Sequence, residues 1–192
     1  FDDSADYFGD MSQIKDGLRY IDNYLFNATY KSLIFGSNFL ASFSIASSLG
    51  VCNQSINDCL EDFCFPSGRG TIIRQGDSLI IDDTYNANLG SMKSGISELK
   101  ILKNNRQSIV LILGDMLDLG NDSKRHHSEL GEYIGNLNFI DTVLCIGKAS
   151  NHIIENIKND NIRLKHFRHA KSAISFLKEY DFDNKIFYFK GS

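Results

Sequence analysis

The sequence is poor in the features that mark several protein classes. Four cysteines are present, but no two stand as a CxxC pair, and Cys52, Cys59, Cys64 and Cys145 lie among apolar residues. That pattern fits buried, reduced thiols better than a zinc site or a disulfide framework. No stretch approaches the roughly 18 consecutive apolar residues of a transmembrane helix. The opening FDDSADYFGD is too acidic for a signal peptide, so a soluble, cytoplasmic chain with no membrane partner is expected. Positive charge is not in excess: the formal net charge is -4, and nucleic acid is not an expected partner. Proline occurs once, at Pro66, where PSGRG breaks any helix and sets a domain boundary near residue 68.

Several signature loops are missing as well. CIGKAS, ending at Ser150, is not a Walker A loop, because no glycine stands five residues before Gly147 and Ala149 follows Lys148. No GxGxxG follows a strand, which removes a plain dinucleotide-binding reading. No GxSxG elbow or supported Cys/His dyad points to covalent hydrolysis. His126 and His127 are neighbours on a helix, so their side chains diverge by about 100° and cannot chelate one ion; a solvated face is expected for one of them. RLKHFRHAK reads as a strand running into a helix.

What is present is a globular composition, 42% hydrophobic and 23% charged, with a strong alternation of elements. Residues 10–34 alternate loosely, as short antiparallel strands do. Phe39, Phe43, Ala46 and Gly50 recur at helical spacing, and QSINDCLEDF is a second amphipathic helix. Beyond Pro66, TIIRQGDSLII reads as a hairpin about Gly-Asp. Helices follow on Met92, Ile96, Leu99 and Leu102; on Leu130, Tyr133, Ile134 and Leu137, capped near Asp122 or Ser123; around Ile153, Ile154 and Ile157; and around Ala173, Ile174 and Leu177. Between them lie the strands SIVLILGD, DTVLCIGK, IRLKHF and KIFYF. This alternation predicts a Rossmann-like α/β domain with a mostly parallel sheet and helices on both faces.

In such a sheet the strand ends DDTYNAN, GDMLDLG, GKAS and KGS gather on one rim, where open α/β sheets bind ligands. LIIDDTYNANLGSM stops a strand on two adjacent carboxylates, whose repulsion must be offset by solvent, a metal or a ligand. Asp83 suits ribose hydroxyls, while Asn86 and Asn88 suit either the cap of the next helix or a substrate carboxylate at its N-terminus.

Gly68-Arg69, DDTYNANLGSM (82–92), LILGDMLDLG (111–120), SKRHHSELGE (123–132) and the terminal FKGS together resemble, in order and spacing, the C-terminal part of the Mur ligase family. The likeness is to those members that join D-alanyl-D-alanine to a UDP-N-acetylmuramoyl-tripeptide. SNFLASFSIASSLG is similar to a helix at the end of that family's central ATPase domain. The resemblance implies residues 1–67 as the end of a central ATP-binding domain and 68–192 as the C-terminal domain of a three-domain ligase. It implies ATP and magnesium as cofactors, an acyl-phosphate intermediate, and a monomer.

By motif position, Arg69 and Asp83 would meet ATP, while Asn86, Asn88, Asp115, His127 and Lys190 would belong to the substrate cleft. Three departures stand out: Ile34-Phe35 replaces a His-Asn pair, Asp118 replaces a glutamate, and Leu89 replaces a proline. The family's P-loop, magnesium ligands and modified lysine find no counterpart in this chain. It begins with Phe and ends on KGS, so it is expected to be a fragment, inactive alone, of an enzyme. The alternative is a noncatalytic nucleotide-binding or interaction module derived from such a ligase.

Overall fold

SIVLILG carries apolar side chains at every position from Ile109 to Leu113, and in a strand successive side chains point to opposite faces. A segment of this kind is stable only when both faces are covered. In the computed structural model it is a strand, β6 (Ser108–Gly114), and both of its faces are buried. The structure describes residues 9–15, 18–21, 24–27, 33–61, 63, 66–104 and 107–192. The chain divides into two units, Phe1–Cys64 and Phe65–Ser192.

The first unit contains β1 (Gly9–Lys15), β2 (Leu18–Ile21) and β3 (Tyr24–Asn27), an antiparallel meander, followed by α1 (Leu33–Ser48) and α2 (Asn53–Glu61). Phe39 and Phe43, one turn apart on α1, are buried with ring centroids 6.2 Å apart. The helix ends because Gly50 adopts φ +81, which lets Gly50 N–H reach Ser47 O and Val51 N–H reach Ala46 O. The side chains of Ile34 and Phe35 lie outside the described residues, as does Cys64. Cys52 and Cys59 are exposed, against the sequence expectation; only Cys145 of the described cysteines is buried. Apolar neighbours in sequence misled here: Cys59 lies on an exposed position of α2, and Cys52 stands in the turn just before that helix.

The second unit holds a six-stranded sheet in the order β4-β5-β9-β6-β7-β8. Its strands are β4 (Thr71–Gln75), β5 (Ser78–Asp83), β6 (Ser108–Gly114), β7 (Thr142–Ile146), β8 (Arg163–Phe167) and β9 (Lys185–Lys190). Within this sheet only β4 runs antiparallel to its neighbour, as the first arm of the hairpin about Gly76-Asp77; the remaining pairs are parallel. One face packs Ile81, Ile109, Leu111, Val143 and Ile186 against Met92 and Ile96 of α3 (Leu89–Leu102), Leu130 and Ile134 of α4 (Ser123–Gly135) and Ile153 of α5 (Asn151–Asn156). The other packs Val110, Ile112, Leu144 and Phe187 against Ala173 of α6 (Ala170–Leu177) and an aromatic group in which Phe182 stacks on Phe187 at 4.5 Å. The predicted α/β sheet with helices on both faces is thus observed. Asp122 does stand at the start of α4, but its side chain makes no capping bond.

Parallel register aligns the strand ends. Asp83 pairs with Lys190, Lys190 with Leu113, and Gly114 with Ile146. The motifs of β5, β9, β6 and β7 therefore share one rim.

Candidate functional site

The two carboxylates that end β5 do not face each other. Adjacent strand residues point to opposite faces, so Asp82 and Asp83 diverge. Asp82 Oδ1 accepts from Thr84 N–H (3.2 Å) and Thr84 Oγ1 (2.6 Å), which folds the chain into an Asx turn. Asp83 Oδ2 accepts from Lys190 Nζ at 2.7 Å and Tyr188 Oη at 2.8 Å. The repulsion is offset within the protein, by a turn hydroxyl on one side and a lysine and a tyrosine on the other.

Lys190 is buried, its side chain 3% exposed, and its ammonium also donates to Asn86 O (3.0 Å) and Asp83 O (3.5 Å). All three of its protons are spent on the β5–α3 loop, which makes it a brace of that loop. Ser192 continues the stitching. Its hydroxyl donates to Asn86 Oδ1 (3.0 Å) and accepts from Ala87 N–H (2.9 Å), and its N–H donates to Asp115 O (3.0 Å). Asn88 caps α3: its Oδ1 accepts from Ser91 N–H, and Ser91 Oγ accepts from Asn88 N–H. Of its two sequence readings, the cap is the one the geometry realises.

Asp115 accepts from the amides of Lys148 (3.0 Å) and Ser150 (2.7 Å). Gly147, at φ +130, makes room for this carboxylate, which a Cβ would overlap. Burial pushes the Asp115 carboxyl up, and the amides of Ser150, Ala149 and Lys148 outweigh it, leaving a net lowering. His127 is fully buried. Its Nδ1 donates to Ser123 O (2.7 Å) and its Nε2 accepts from Met116 N–H (3.0 Å), so both ring nitrogens are taken by the backbone. The expectation that it faces substrate is replaced by a role in holding GDM against α4. The signal was available, since His127, Leu130, Gly131 and Ile134 form one i, i+3, i+4, i+7 face.

Arg69 lies at the hairpin entrance, its guanidinium 3.8 Å above the ring of Tyr85, which is 63% exposed. Gly68 O and Tyr85 N–H (2.9 Å) tie the Gly-Arg loop to the DDTYNAN turn. A cavity of about 370 Å³ opens at the same rim on the α6 side. Its walls are Ile112, Ile146, Leu117 and Phe189, and Thr84, Asp115, Lys190 and Ser192 supply polar edges. Asp115 and Lys190 thus meet at the cavity, whereas Arg69, Asp83, Asn86, Asn88 and His127 lie outside its lining. Tyr85 and Ser192 lie inside motifs read from the sequence but were not singled out there, whereas Tyr188, one residue before FKGS, is brought to Asp83 only by the strand register.

Residues 68–192 match the family model described as "Mur ligase, glutamate ligase domain". The chain belongs to the Mur ligase family. A Mur ligase of Buchnera aphidicola (subsp. Acyrthosiphon pisum), UDP-N-acetylmuramoyl-tripeptide–D-alanyl-D-alanine ligase, is 33% identical over 143 residues, covering 74% of this chain and 30% of that protein. MurF of Acinetobacter baumannii superposes over 100% of this chain and 43% of its own, with TM-score 0.78 and 24% identity. MurF ligase of Thermotoga maritima, solved in complex with ADP, superposes over 93% of this chain and 41% of its own, with TM-score 0.70 and 24% identity. The chain spans about a third of the length of the curated Mur ligases it matches. Among the described residues, no helix is long and apolar enough to cross a membrane.

Proposed function

We propose that this chain is the C-terminal part of a cytoplasmic, monomeric ligase that adds D-alanyl-D-alanine to UDP-N-acetylmuramoyl-tripeptide in peptidoglycan precursor synthesis. ATP activates the tripeptide carboxylate as an acyl phosphate, and the dipeptide amine attacks it. Residues 1–67 are then the end of the central ATP-binding domain, and 68–192 the domain that closes over it. The observation that carries this reading is the single hydrogen-bonded rim joining Gly-Arg, DDTYNAN, Gly-Asp and Lys-Gly-Ser, in a chain whose relatives bear that activity in their names.

In this reading Arg69, a permanent planar cation braced on Tyr85, stabilises charge on a transferring phosphoryl group. Asp83 accepts from the nucleotide ribose. The cavity, with apolar walls for two methyl groups and polar edges at Thr84 and Ser192, receives the dipeptide. Asn86, Asn88, Asp115, His127 and Lys190 shape that cleft by bracing its loops. By resemblance to the family, magnesium is held by the central-domain part that carries the P-loop and the metal ligands, and residues 1–192 alone should not turn over ATP.

The test is D-alanyl-D-alanine-dependent phosphate release by the full-length ligase. Arg69→Ala and Asp83→Ala should each lower kcat/KM by roughly tenfold or more, as loss of a charged hydrogen bond does. Wild-type rates in both would reject these assignments. Ile34-Phe35 in place of the family's His-Asn pair favours a second reading, a noncatalytic module derived from such a ligase. Calorimetry with ATP and with D-alanyl-D-alanine separates the two, since the module binds neither as a ligase does.

A further inference from the structure

Asp83 is held by a residue that none of the family-like motifs contains. Tyr188 lies two residues before Lys190 on β9, on the same face of the sheet, and its side chain is almost fully buried among the core residues. A phenylalanine would satisfy that packing. The hydroxyl instead emerges at Asp83 Oδ2, 2.8 Å away, and it reaches that point through a notch in α3 where Gly95 carries no side chain. A Cβ at residue 95 would overlap the hydroxyl oxygen. Glycine is a poor residue for a helix interior, so this notch runs against the local preference of α3. Burial, the negative charge of Asp83 and that of Glu98 push the Tyr188 phenol well above its ordinary value, so it stays a proton donor.

We propose that Tyr188 is a positioning residue: its hydroxyl, seated in the Gly95 notch, fixes the Asp83 carboxylate so that Oδ1 is presented to a ribose hydroxyl of the nucleotide. Both donors, Tyr188 and Lys190, fall on Oδ2, and no hydrogen bond among the described residues engages Oδ1. The Asp83 side chain is 17% exposed, so this open oxygen belongs to the part water and ligand can reach. Lys190 does not set the orientation alone, because its one ammonium is shared among three acceptors, Asp83 Oδ2, Asp83 O and Asn86 O. A tyrosine ring locked by packing holds one oxygen at one point. Pre-organisation of this kind determines whether a first contact is productive.

This inference rests on the nucleotide reading of Asp83, and the experiment separates the two. The full-length ligase is assayed with ATP, 2′-deoxy-ATP and 3′-deoxy-ATP, and kcat and KM are determined for wild type, Asp83→Ala and Tyr188→Phe. Wild type should prefer ATP over at least one deoxy analogue, and Asp83→Ala should abolish that preference. Tyr188→Phe should shrink the preference roughly fivefold to tenfold, through KM for ATP, with kcat and the deoxy-analogue KM unchanged. Should Tyr188→Phe fold poorly, Gly95→Ala displaces the hydroxyl from the helix side and should shrink the preference likewise. If Asp83→Ala loses the preference while both other variants keep the wild-type ratio, positioning by Tyr188 is wrong and the reading of Asp83 stands. If wild type shows no preference, or Asp83→Ala retains it, the reading of Asp83 fails and this inference fails with it.

Discussion

A carboxylate at the end of a buried strand needs donors, and Asp115 finds them in the backbone of the next crossover. The amides of Ser150, Ala149 and Lys148 favour its charged form more than burial disfavours it, so its folded-state pKa lies below the unfolded one. The sign follows: the charged form's contribution is fully present above the unfolded value near 4 and is lost as pH falls through the lowered folded value. Partial exposure screens the interaction, so Asp115→Ala should destabilise the chain by about 1–2 kcal/mol at pH 7, measured by urea unfolding. The gap to wild type should narrow as pH falls below about 5 and close only below the lowered folded value. A gap that keeps its pH 7 size down to about pH 3 would mean that packing, rather than charge, holds the Gly147–Ser150 turn.

Elements were more legible than side-chain roles. Loose alternation predicted the first meander and the hairpin, continuous apolar runs such as Ile109–Leu113 predicted strands buried on both faces, and 3.6-residue periods predicted the helices between them. Roles at their ends were ambiguous for a physical reason: Asn, Asp and Ser serve equally as caps, turns and ligands. Asn88 is the example. Its β-region backbone and reciprocal bonds with Ser91 make the capping box of α3, the helix that carries the Gly95 notch. Asn88→Ala should cost about 1 kcal/mol, while Asn88→Ser or Asn88→Asp should cost a few tenths. Thermal unfolding of the three variants checks this, and equal losses in all three would argue for a contact other than the cap. Exposed thiols were not legible, since burial of Cys59 depends on which way α2 faces and that of Cys52 on the turn before it.

At the scale of the whole second unit, the order of strands in space was the least legible feature. Alternation along the chain predicts neighbours and says little of where the final strand inserts. β9, the final strand, lies between β5 and β6, paired in parallel with both. Without it the sheet separates into the β4–β5 hairpin and the β6-β7-β8 layer. Ile186, Phe187 and Tyr188 are buried on the two faces, and burial of each such side chain is worth about 1.5–3 kcal/mol, against a net domain stability of about 5–15. Their loss, together with that of the Lys190 and Ser192 bonds, exceeds what a marginal fold tolerates. A chain ending at Asn184 should therefore show no slow-exchanging amides in β6, Ile109 to Leu113, by hydrogen exchange, whereas the chain that includes β9 through Ser192 should protect them at the level of global unfolding. Protected β6 amides in the shortened chain would show that β6, β7 and β8 form a stable layer by themselves, and that the central position of β9 is not what closes the fold.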